Sequence, residues 1–361
     1  MGKKTLLQVA NEVEHDQRGK IDYVLPFRNL YMDDNGGFAF KRVNEVQIPY
    51  AHESTARQAD VRLEPNDWAT GQLLGRLNMP AEYFKRLLTQ REAAPWLFAS
   101  HFNYWASRTN KHIRLRAKLY NGNGTGVVRG AVSDKYSILD NDTVISTLAG
   151  IMQGREDDFE IVDFHLDDRR MNLRVAYNDL AVQLGNLPGG EADWNKLGSD
   201  FVNSEVGASA FNLQALIWRL ICSNGLRGWD QQGEAFTQRH IHLRPMEFQG
   251  RVADAIVNSL QTGQDFLNAF KDTQEKQIND PFAVIKKLAN DGNFSRQFTD
   301  QAVSEWEGHD TAYGVVNAFT RAARTLPNER RLEAESYAGR LTRLPAEQWD
   351  KISEEAILET A

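Results

Sequence analysis

The densest set of side chains able to bind a charged ligand lies between His101 and Asp140. Seven Lys and Arg residues occur there against two Asp residues, a local charge of +5, although the net charge of the chain is -7. A local positive potential can attract phosphate groups even on a protein that is acidic as a whole. The cations are Arg108, Lys111, Arg114, Arg116, Lys118, Arg129 and Lys135.

Aromatic residues accompany these cations. His101, Phe102, Tyr104 and Trp105 precede the basic run, and Tyr120 and Tyr136 fall within it. Cations that follow the phosphates and aromatic rings that stack on bases are typical of single-stranded nucleic-acid binding, with about 1-3 kcal/mol per stacked base. The alternative interpretation is that these rings pack in a core and that the cations are solvated.

Three further residues are secondary candidates for contact with a polyanion. Arg219 lies in the apolar run 211–221, where a guanidinium must either pair with a buried acid or face a groove. Arg227 and His240 follow in the same region of the chain. With Trp105 and Tyr136, they complete the predicted nucleic-acid-binding set.

A metal site is an alternative use of the histidines. His240 and His242 flank Ile241 on a predicted strand, so both rings would point to the same face. Carboxylates and a further imidazole are candidate co-ligands by residue type alone, and no spacing in the sequence brings them together. These co-ligands are Asp134, Asp140, His165 and Asp167. We predict no cofactor, and a metal-dependent enzyme acting on nucleic acid or a nucleotide stays open as an alternative.

Common catalytic signatures are absent from the sequence. It contains no G-x-S-x-G elbow, no H-E-x-x-H motif and no G-x-x-x-x-G-K-[ST] loop. Its single cysteine, Cys222, excludes an internal disulfide or a multi-cysteine zinc cage and fits a reducing compartment. The glycines between 122 and 126 join two predicted strands, whereas a phosphate-binding loop must begin a helix, so we interpret them as a hairpin turn.

The elements that must position these residues follow from periodicity. Ile113, Leu115, Ala117 and Leu119 alternate with cations, which predicts a half-buried strand in a hairpin with residues 127–132. Asp140 or Asn141 is predicted to cap a helix that runs through Met152. A second hairpin is predicted over 159–177, and residues 208–220 are ambiguous between strand and buried helix.

Helical patterns dominate the two flanks. Asn66 or Asp67 is predicted to cap one N-terminal helix and Pro80 to begin the next, and nearly every segment after Pro245 has helical periodicity. We therefore predict an α+β fold with a mixed, mainly antiparallel central sheet with hairpins, N-terminal helices and an all-helical C-terminal third. The predicted domains are an α+β core over 1–244 and a helical region over 245–361.

The chain lacks signals for a membrane. No apolar run approaches the roughly 20 residues of a spanning helix, and the N-terminus has no apolar signal-peptide segment. We therefore expect a cytoplasmic protein without a membrane partner.

Several short motifs carry a family resemblance. They are Ala131-Val-Ser-Asp-Lys-Tyr136 with Leu139-Asp-Asn141, Asn203-Ser-Glu-Val-Gly207, Arg219-Leu-Ile-Cys-Ser-Asn-Gly225, Arg239-His240 and Thr311-Ala-Tyr-Gly-Val-Val-Asn-Ala-Phe-Thr320. In this order the set resembles a phage/plasmid-like protein family of unknown function, with members in prophages, plasmids and bacterial genomes, over roughly residues 65 to 340. The resemblance implies a mobile-element context and no established reaction.

Our leading hypothesis combines the basic hairpin with that context. We expect a homo-oligomeric protein that holds single-stranded DNA along residues 108–136 by backbone charge and stacking, for binding or annealing in recombination. A protein-interaction module, either regulatory or directed against a host defence, stays open as a third alternative that would use the acidic helical third as its docking surface.

Overall fold

The computed structural model confirms the α+β class. It describes residues 4–40, 42–43, 46–47, 61–89, 94–120, 124–186, 190–220, 224–228, 236–240 and 245–360. The described strands form two six-stranded sheets and one small two-stranded sheet, with helices on both sides of the strand-rich middle in chain order.

The first sheet contains the predicted basic hairpin. Its strands are β1 (Lys20–Pro26), β2 (Tyr31–Met32), β3 (Phe38–Phe40), β6 (Val61–Pro65), β7 (His112–Tyr120) and β8 (Thr125–Ser133), in the order β1-β7-β8-β6-β3-β2. The pair β6 and β8 is parallel and the other neighbours are antiparallel. Strands β4 (Arg42–Val43) and β5 (Val46–Gln47) pair with each other as a separate small sheet.

The second sheet is antiparallel throughout its described pairs. Its strands are β9 (Phe159–Leu166), β10 (Met171–Asn186), β11 (Ala192–Asn203), β12 (Phe211–Arg219) and β13 (Asn224–Gly228), in the order β13-β12-β11-β10-β9, and β14 (Phe236–Gln238) also pairs with β12. The second predicted hairpin is confirmed as β9 and β10. The ambiguous segment 208–220 contains strand β12, because ladder pairing with β11 and β13 decides between two periods that its apolar residues fit equally.

The helices begin where capping residues predict. Asn66 caps α2 by accepting a hydrogen bond from the backbone N–H of Ala69, and Asp280 caps α7 in the same way through Ala283. The helices before the second sheet are α1 (Leu6–Gln17), α2 (Asp67–Arg76), α3 (Ala81–Thr89), α4 (Ala94–Ala106) and α5 (Asn141–Met152). Those after it are α6 (Pro245–Asp272), α7 (Pro281–Asp291), α8 (Arg296–Ser304), α9 (Ala312–Ala323), α10 (Asn328–Leu341) and α11 (Ala346–Thr360). Within the described ranges no helix combines the length and the apolar character that crossing a bilayer requires.

Three main apolar clusters form the core. One lies between the first sheet and helices α2 to α4, and a second joins α1, α5 and the start of α6 to the second sheet. The third joins the C-terminal helices to four buried residues of the second sheet, Leu184, Leu197, Ile217 and Leu226. The helical third therefore shares a core with the strands before it, and the predicted domain boundary at 244 stays a prediction.

Candidate nucleic-acid interface

The predicted strand β7 alternates as expected. Ile113, Leu115 and Ala117 are buried in the first core, so the side chains of Arg114, Arg116 and Lys118 project from the opposite side of the sheet. The predicted basic side of the hairpin therefore exists. Arg116 is only 3% exposed, however, so this side is not simply open to solvent.

Acidic residues from the N-terminal segment cover the cations of β7. The antiparallel register places Asp22 of β1 directly opposite Arg116, and Asp22 accepts hydrogen bonds from Arg114 Nη1 at 3.2 Å and Arg116 Nε at 3.1 Å. Asp16, near the end of α1, accepts one from Lys118 Nζ at 2.9 Å. The three cations therefore already have carboxylate partners within the chain.

A buried carboxylate, Glu205, joins the two sheets. Its side chain accepts hydrogen bonds from Lys20 Nζ and Arg129 Nη2, both at 2.7 Å, and from the backbone N–H of Asn141 at 3.0 Å. Its backbone carbonyl accepts one from Arg116 Nη1 at 2.7 Å. Burial raises the pKa of Glu205, but the charges of Lys20 and Arg129 outweigh burial and hold that pKa below its ordinary value. We call Glu205 and its four partners the Glu205 centre.

Asp140 contributes to this centre in a way that differs from prediction. It occupies the N-cap position of α5, which confirms the predicted helix through Met152, but its side chain makes no capping hydrogen bond. The carboxylate instead accepts a hydrogen bond from Arg116 Nη2. Burial raises the pKa of Asp140, because removal from water disfavours the carboxylate and Arg116 only partly compensates. The Asp140 carboxylate therefore pairs with Arg116 instead of accepting a hydrogen bond from the first turn of α5.

His240 lies beside the Glu205 centre rather than on the surface. It is buried, and its ring stacks on Tyr136 with centroids 4.9 Å apart and planes inclined by 5°. Tyr136 Oη donates a hydrogen bond to the carbonyl of Ser204 at 2.9 Å. Burial lowers the pKa of His240 to about 4, so the ring is neutral at pH 7 and carries no charge for a phosphate. Lys135, next to Tyr136, is exposed.

The other two secondary candidates, Arg219 and Arg227, make buried ion pairs. Arg219 Nη2 lies 2.7 Å from Asp193 Oδ2, which also accepts a hydrogen bond from Tyr313 Oη at 2.6 Å. The sequence left open whether Arg219 pairs with a buried acid or faces a groove, and the structure shows the buried acid. Arg227 lies 2.5 Å from Asp200, a fully buried carboxylate.

Three aromatic side chains are exposed on one helix, α4. Trp96 is 53% exposed, Tyr104 is 52% exposed and Trp105 is 48% exposed. Positions 96, 100 and 104 fall on one line along a helix, positions 101 and 105 fall on the next line, and Arg108 follows in the turn after α4. Helix α4 therefore exposes Tyr104 and Trp105 together at its C-terminal end and Trp96 about two turns earlier, while Phe98 and Phe102 face the first core.

Cations border these aromatic side chains. The guanidinium of Arg108 lies over the ring of Tyr104, 4.3 Å from its centroid, and Tyr104 contacts Trp105 edge to face at 5.3 Å. Lys111 follows, with its Nζ donating to the backbone carbonyl of Arg76 at 3.3 Å. No Asp or Glu occurs in the sequence between residues 94 and 133. We define the α4 surface as Trp96, His101, Tyr104, Trp105, Arg108 and Lys111.

The predicted nucleic-acid-binding residues thus divide into two sets. Trp105, Arg108 and Lys111 lie together at the exposed α4 surface, and exposed Lys135 lies apart on the loop after β8. The remaining predicted residues make intramolecular contacts, most of them buried. They are Arg114, Arg116, Lys118, Arg129, Tyr136, Arg219, Arg227 and His240.

Sequence reasoning missed the acidic partners and part of the aromatic surface. Glu205 was visible only as a member of the 203–207 motif, and Asp16 and Asp22 carry no local signal of their role because their partners are about 100 positions away in the chain. Trp96 could have been found, since it lies four and eight positions from Ser100 and Tyr104 in a segment without Asp or Glu.

Among the described residues, two of the predicted metal ligands contact each other, but the set as a whole is not brought together. His165 Nε2 lies 2.9 Å from Asp167 Oδ2, and both side chains are exposed. Asp140 is engaged with Arg116 instead. The part of the chain that the structure describes contains no group of three or more His, Cys, Asp or Glu residues placed to hold a metal ion. His242 and Cys222 lie outside the described residues.

Comparison with known proteins identifies one family. The model of a domain of unknown function, DUF932, matches residues 128–343, which is more than half of the chain. Neither the search of curated proteins nor the search of solved structures found a match. The matched range includes Arg129, Tyr136, Glu205 and His240, which the structure places around the Glu205 centre, and it excludes the α4 surface. The chain belongs to the DUF932 family of domains of unknown function.

Proposed function

We propose that this protein binds single-stranded nucleic acid through the α4 surface, by stacking and backbone charge and without strong sequence preference. The observation that carries the proposal is the exposure of Trp96, Tyr104 and Trp105 beside Arg108 and Lys111. Neither of these two cations forms an ion pair with a residue in the described ranges, in contrast to Arg114, Arg116 and Lys118.

The physical argument is that exposed rings and unpaired cations suit a polyanion with flat bases. Each base has a π-face, so an exposed indole or phenol ring can stack on any base with about 1-3 kcal/mol. Arg108 can hold a phosphate while its own position over Tyr104 keeps the two groups together. This combination supports binding that tolerates sequence and weakens as salt concentration rises.

The biological setting is a further part of the proposal. The motif resemblance to phage and plasmid proteins favours a role in the recombination of mobile DNA, with annealing as the activity and a homo-oligomer in the cytoplasm as the working form. That part rests on the resemblance alone. Binding at the α4 surface can be tested separately from it.

The experiment compares two double variants with the wild type. Fluorescence anisotropy of a labelled oligothymidylate is measured over a range of salt concentrations for the wild type and for Trp105→Ala/Arg108→Ala. We expect the Kd of that variant to rise at least about tenfold, because a stack and a phosphate contact are lost. The slope of log K against log salt should also fall by about 0.7 for the lost contact.

The matched control removes the same residue types elsewhere. Trp194 is 44% exposed on β11, and the side chain of Arg296 is 96% exposed at the start of α8. Trp194→Ala/Arg296→Ala should bind like the wild type. No binding by the wild type at low salt would overturn the proposal, and equal losses in both variants would remove the α4 surface from it.

A variant of β7 is less informative about binding. Replacing Arg116 leaves Asp140 without this cation and Asp22 with Arg114 alone, so loss of stability would accompany any loss of affinity. The binding role predicted for Arg114, Arg116 and Lys118 therefore stays a prediction, which a variant of the half-buried Lys118 with wild-type stability can test.

A further inference from the structure

A second candidate site lies far along the chain from α4. An open pocket of about 380 Å³ is lined by strand β12, the loop that precedes it and helix α10. Ligand pockets in proteins are usually about 300-1,000 Å³, so this one has room for a small molecule of about mononucleotide size. The pocket residues used below are Ser209, Asn212, Gln214, Leu332 and Arg340.

On the sheet side of the pocket, three side-chain oxygens have no hydrogen-bond partner among the described residues. Gln214 is only 3% exposed, and its Oε1 accepts no hydrogen bond from a described residue. The same holds for Asn212 Oδ1 and for Ser209 Oγ in the loop. Buried polar atoms are nearly always hydrogen-bonded in proteins, so these three oxygens are acceptors that lack a donor among the described residues.

The helix side of the pocket offers a cation. Arg340 lies on α10 over the ring of Tyr337 and makes no ion pair with any residue of the described ranges. The two acids on the same helix side are already paired, Glu329 with Arg170 at 2.8 Å and Glu333 with Arg330 at 2.5 Å. The charge left for a ligand at this edge is therefore positive.

We propose that the pocket binds a small anion of mononucleotide size whose anionic group contacts Arg340 and whose N–H or O–H donors contact Gln214 and Asn212. Leu332 supplies an apolar surface between these two ends. The site lies within the range that matches the family domain, whereas the α4 surface lies outside it. This inference does not depend on the proposed function.

The first test is isothermal titration calorimetry of the full chain with three probes: the nucleoside 5′-monophosphates, the corresponding nucleosides and inorganic phosphate. We expect a monophosphate to bind, and the nucleoside and phosphate to bind at least about tenfold more weakly, because each reaches one end of the pocket only. No binding by any monophosphate would overturn the proposal. Equal affinity for inorganic phosphate would overturn the role of the acceptors.

Two variants assign the contacts. Gln214→Met keeps the side-chain volume and removes the orphaned oxygen, so the ligand-free Tm should stay equal or rise while monophosphate affinity falls at least about tenfold. Arg340→Met should weaken the monophosphate and leave the nucleoside unchanged. Wild-type affinity in both variants would overturn the assignment, and Arg340→Met still decides if Gln214→Met fails to fold.

A control separates this pocket from the α4 surface. Trp105→Ala/Arg108→Ala should bind the monophosphate like the wild type, and Arg296→Met should do the same. A loss of monophosphate binding in the α4 variant would place the ligand on α4 and overturn the pocket. Loss of oligonucleotide binding alone in that variant supports two independent sites.

Discussion

The buried carboxylate of Glu205 is neutralised by two buried cations. Glu205 is 2% exposed, and Lys20 and Arg129 lie on either side of it with their own side chains almost fully buried. Removing one member of such a group leaves an uncompensated buried charge, which costs far more than an exposed pair contributes. The Glu205 centre is therefore expected to control stability rather than surface binding.

Glu205→Gln should lower the free energy of unfolding by about 3 kcal/mol or more, since the buried Arg129 loses its carboxylate and Lys20 keeps only Asp16. Urea denaturation at pH 7 measures this. Glu333→Gln, which breaks the exposed pair with Arg330, should cost less than about 1 kcal/mol and serves as the control. Similar small losses in both variants would contradict the interpretation.

The same variant has a defined pH dependence. The pKa of Glu205 is lowered in the folded protein, so its stabilisation is present above the unfolded value of about 4.3 and is lost as pH falls through the folded value. The stability difference between wild type and Glu205→Gln should therefore shrink on acidification below about pH 4.3. If the stability difference stays constant or grows below that pH, the charge of the Glu205 carboxylate is not what stabilises the folded protein.

One helix, α10, approaches strand β13 unusually closely. Helix α10 packs against β13 at Gly339, where an added Cβ would lie 1.9 Å from the carbonyl oxygen of Arg227. Backbone atoms cannot move aside as a flexible side chain can, so only glycine permits this distance. The contact also brings Ser336 within 2.9 Å of Arg227 Nη1, which fixes the buried arginine.

Gly339→Ala should destabilise the protein by about 2 kcal/mol or more, because overpacking outweighs the better helix propensity of alanine. Gly150→Ala in α5 is the matched control, since an added Cβ there meets no atom within 4 Å. That variant should gain about 0.5-1 kcal/mol. Thermal and urea unfolding report both, and a stabilised Gly339→Ala would refute the packing at this crossing.

The C-terminal helices and the second sheet share one apolar core. The helices after residue 245 bury Leu184, Leu197, Ile217 and Leu226 of the second sheet within the same apolar cluster as their own residues. Burial of apolar area is the main favourable term in folding, so neither part completes that core by itself. We therefore expect the strand-rich middle to depend on the helical third for its stability.

A chain that ends at residue 244 is therefore expected to lack a cooperative unfolding transition and to aggregate, because one side of the second sheet would be exposed to water. Size-exclusion chromatography and urea unfolding monitored by circular dichroism test this against the full chain. A monodisperse fragment with a sharp transition would instead support the predicted boundary at 244 as a domain limit.

Local structure could be predicted from the amino-acid sequence alone. Alternation along 113–119 predicted strand β7 and its buried side, and Asn66 predicted where a helix begins. Both follow from interactions within a few residues, which a sequence window contains. The α+β class followed from the same signals.

Which cations are available to a ligand depends on contacts between segments that are distant in the chain. Alternation shows that Arg116 lies on the other side of β7 from the core, but it carries no information on what covers that side. Asp22 and Glu205 cover it, and they lie more than 80 positions away in the chain. Arg108 follows α4 on the solvent side and forms no ion pair with an acid among the described residues. The candidate interface therefore lies at α4 and not on strand β7.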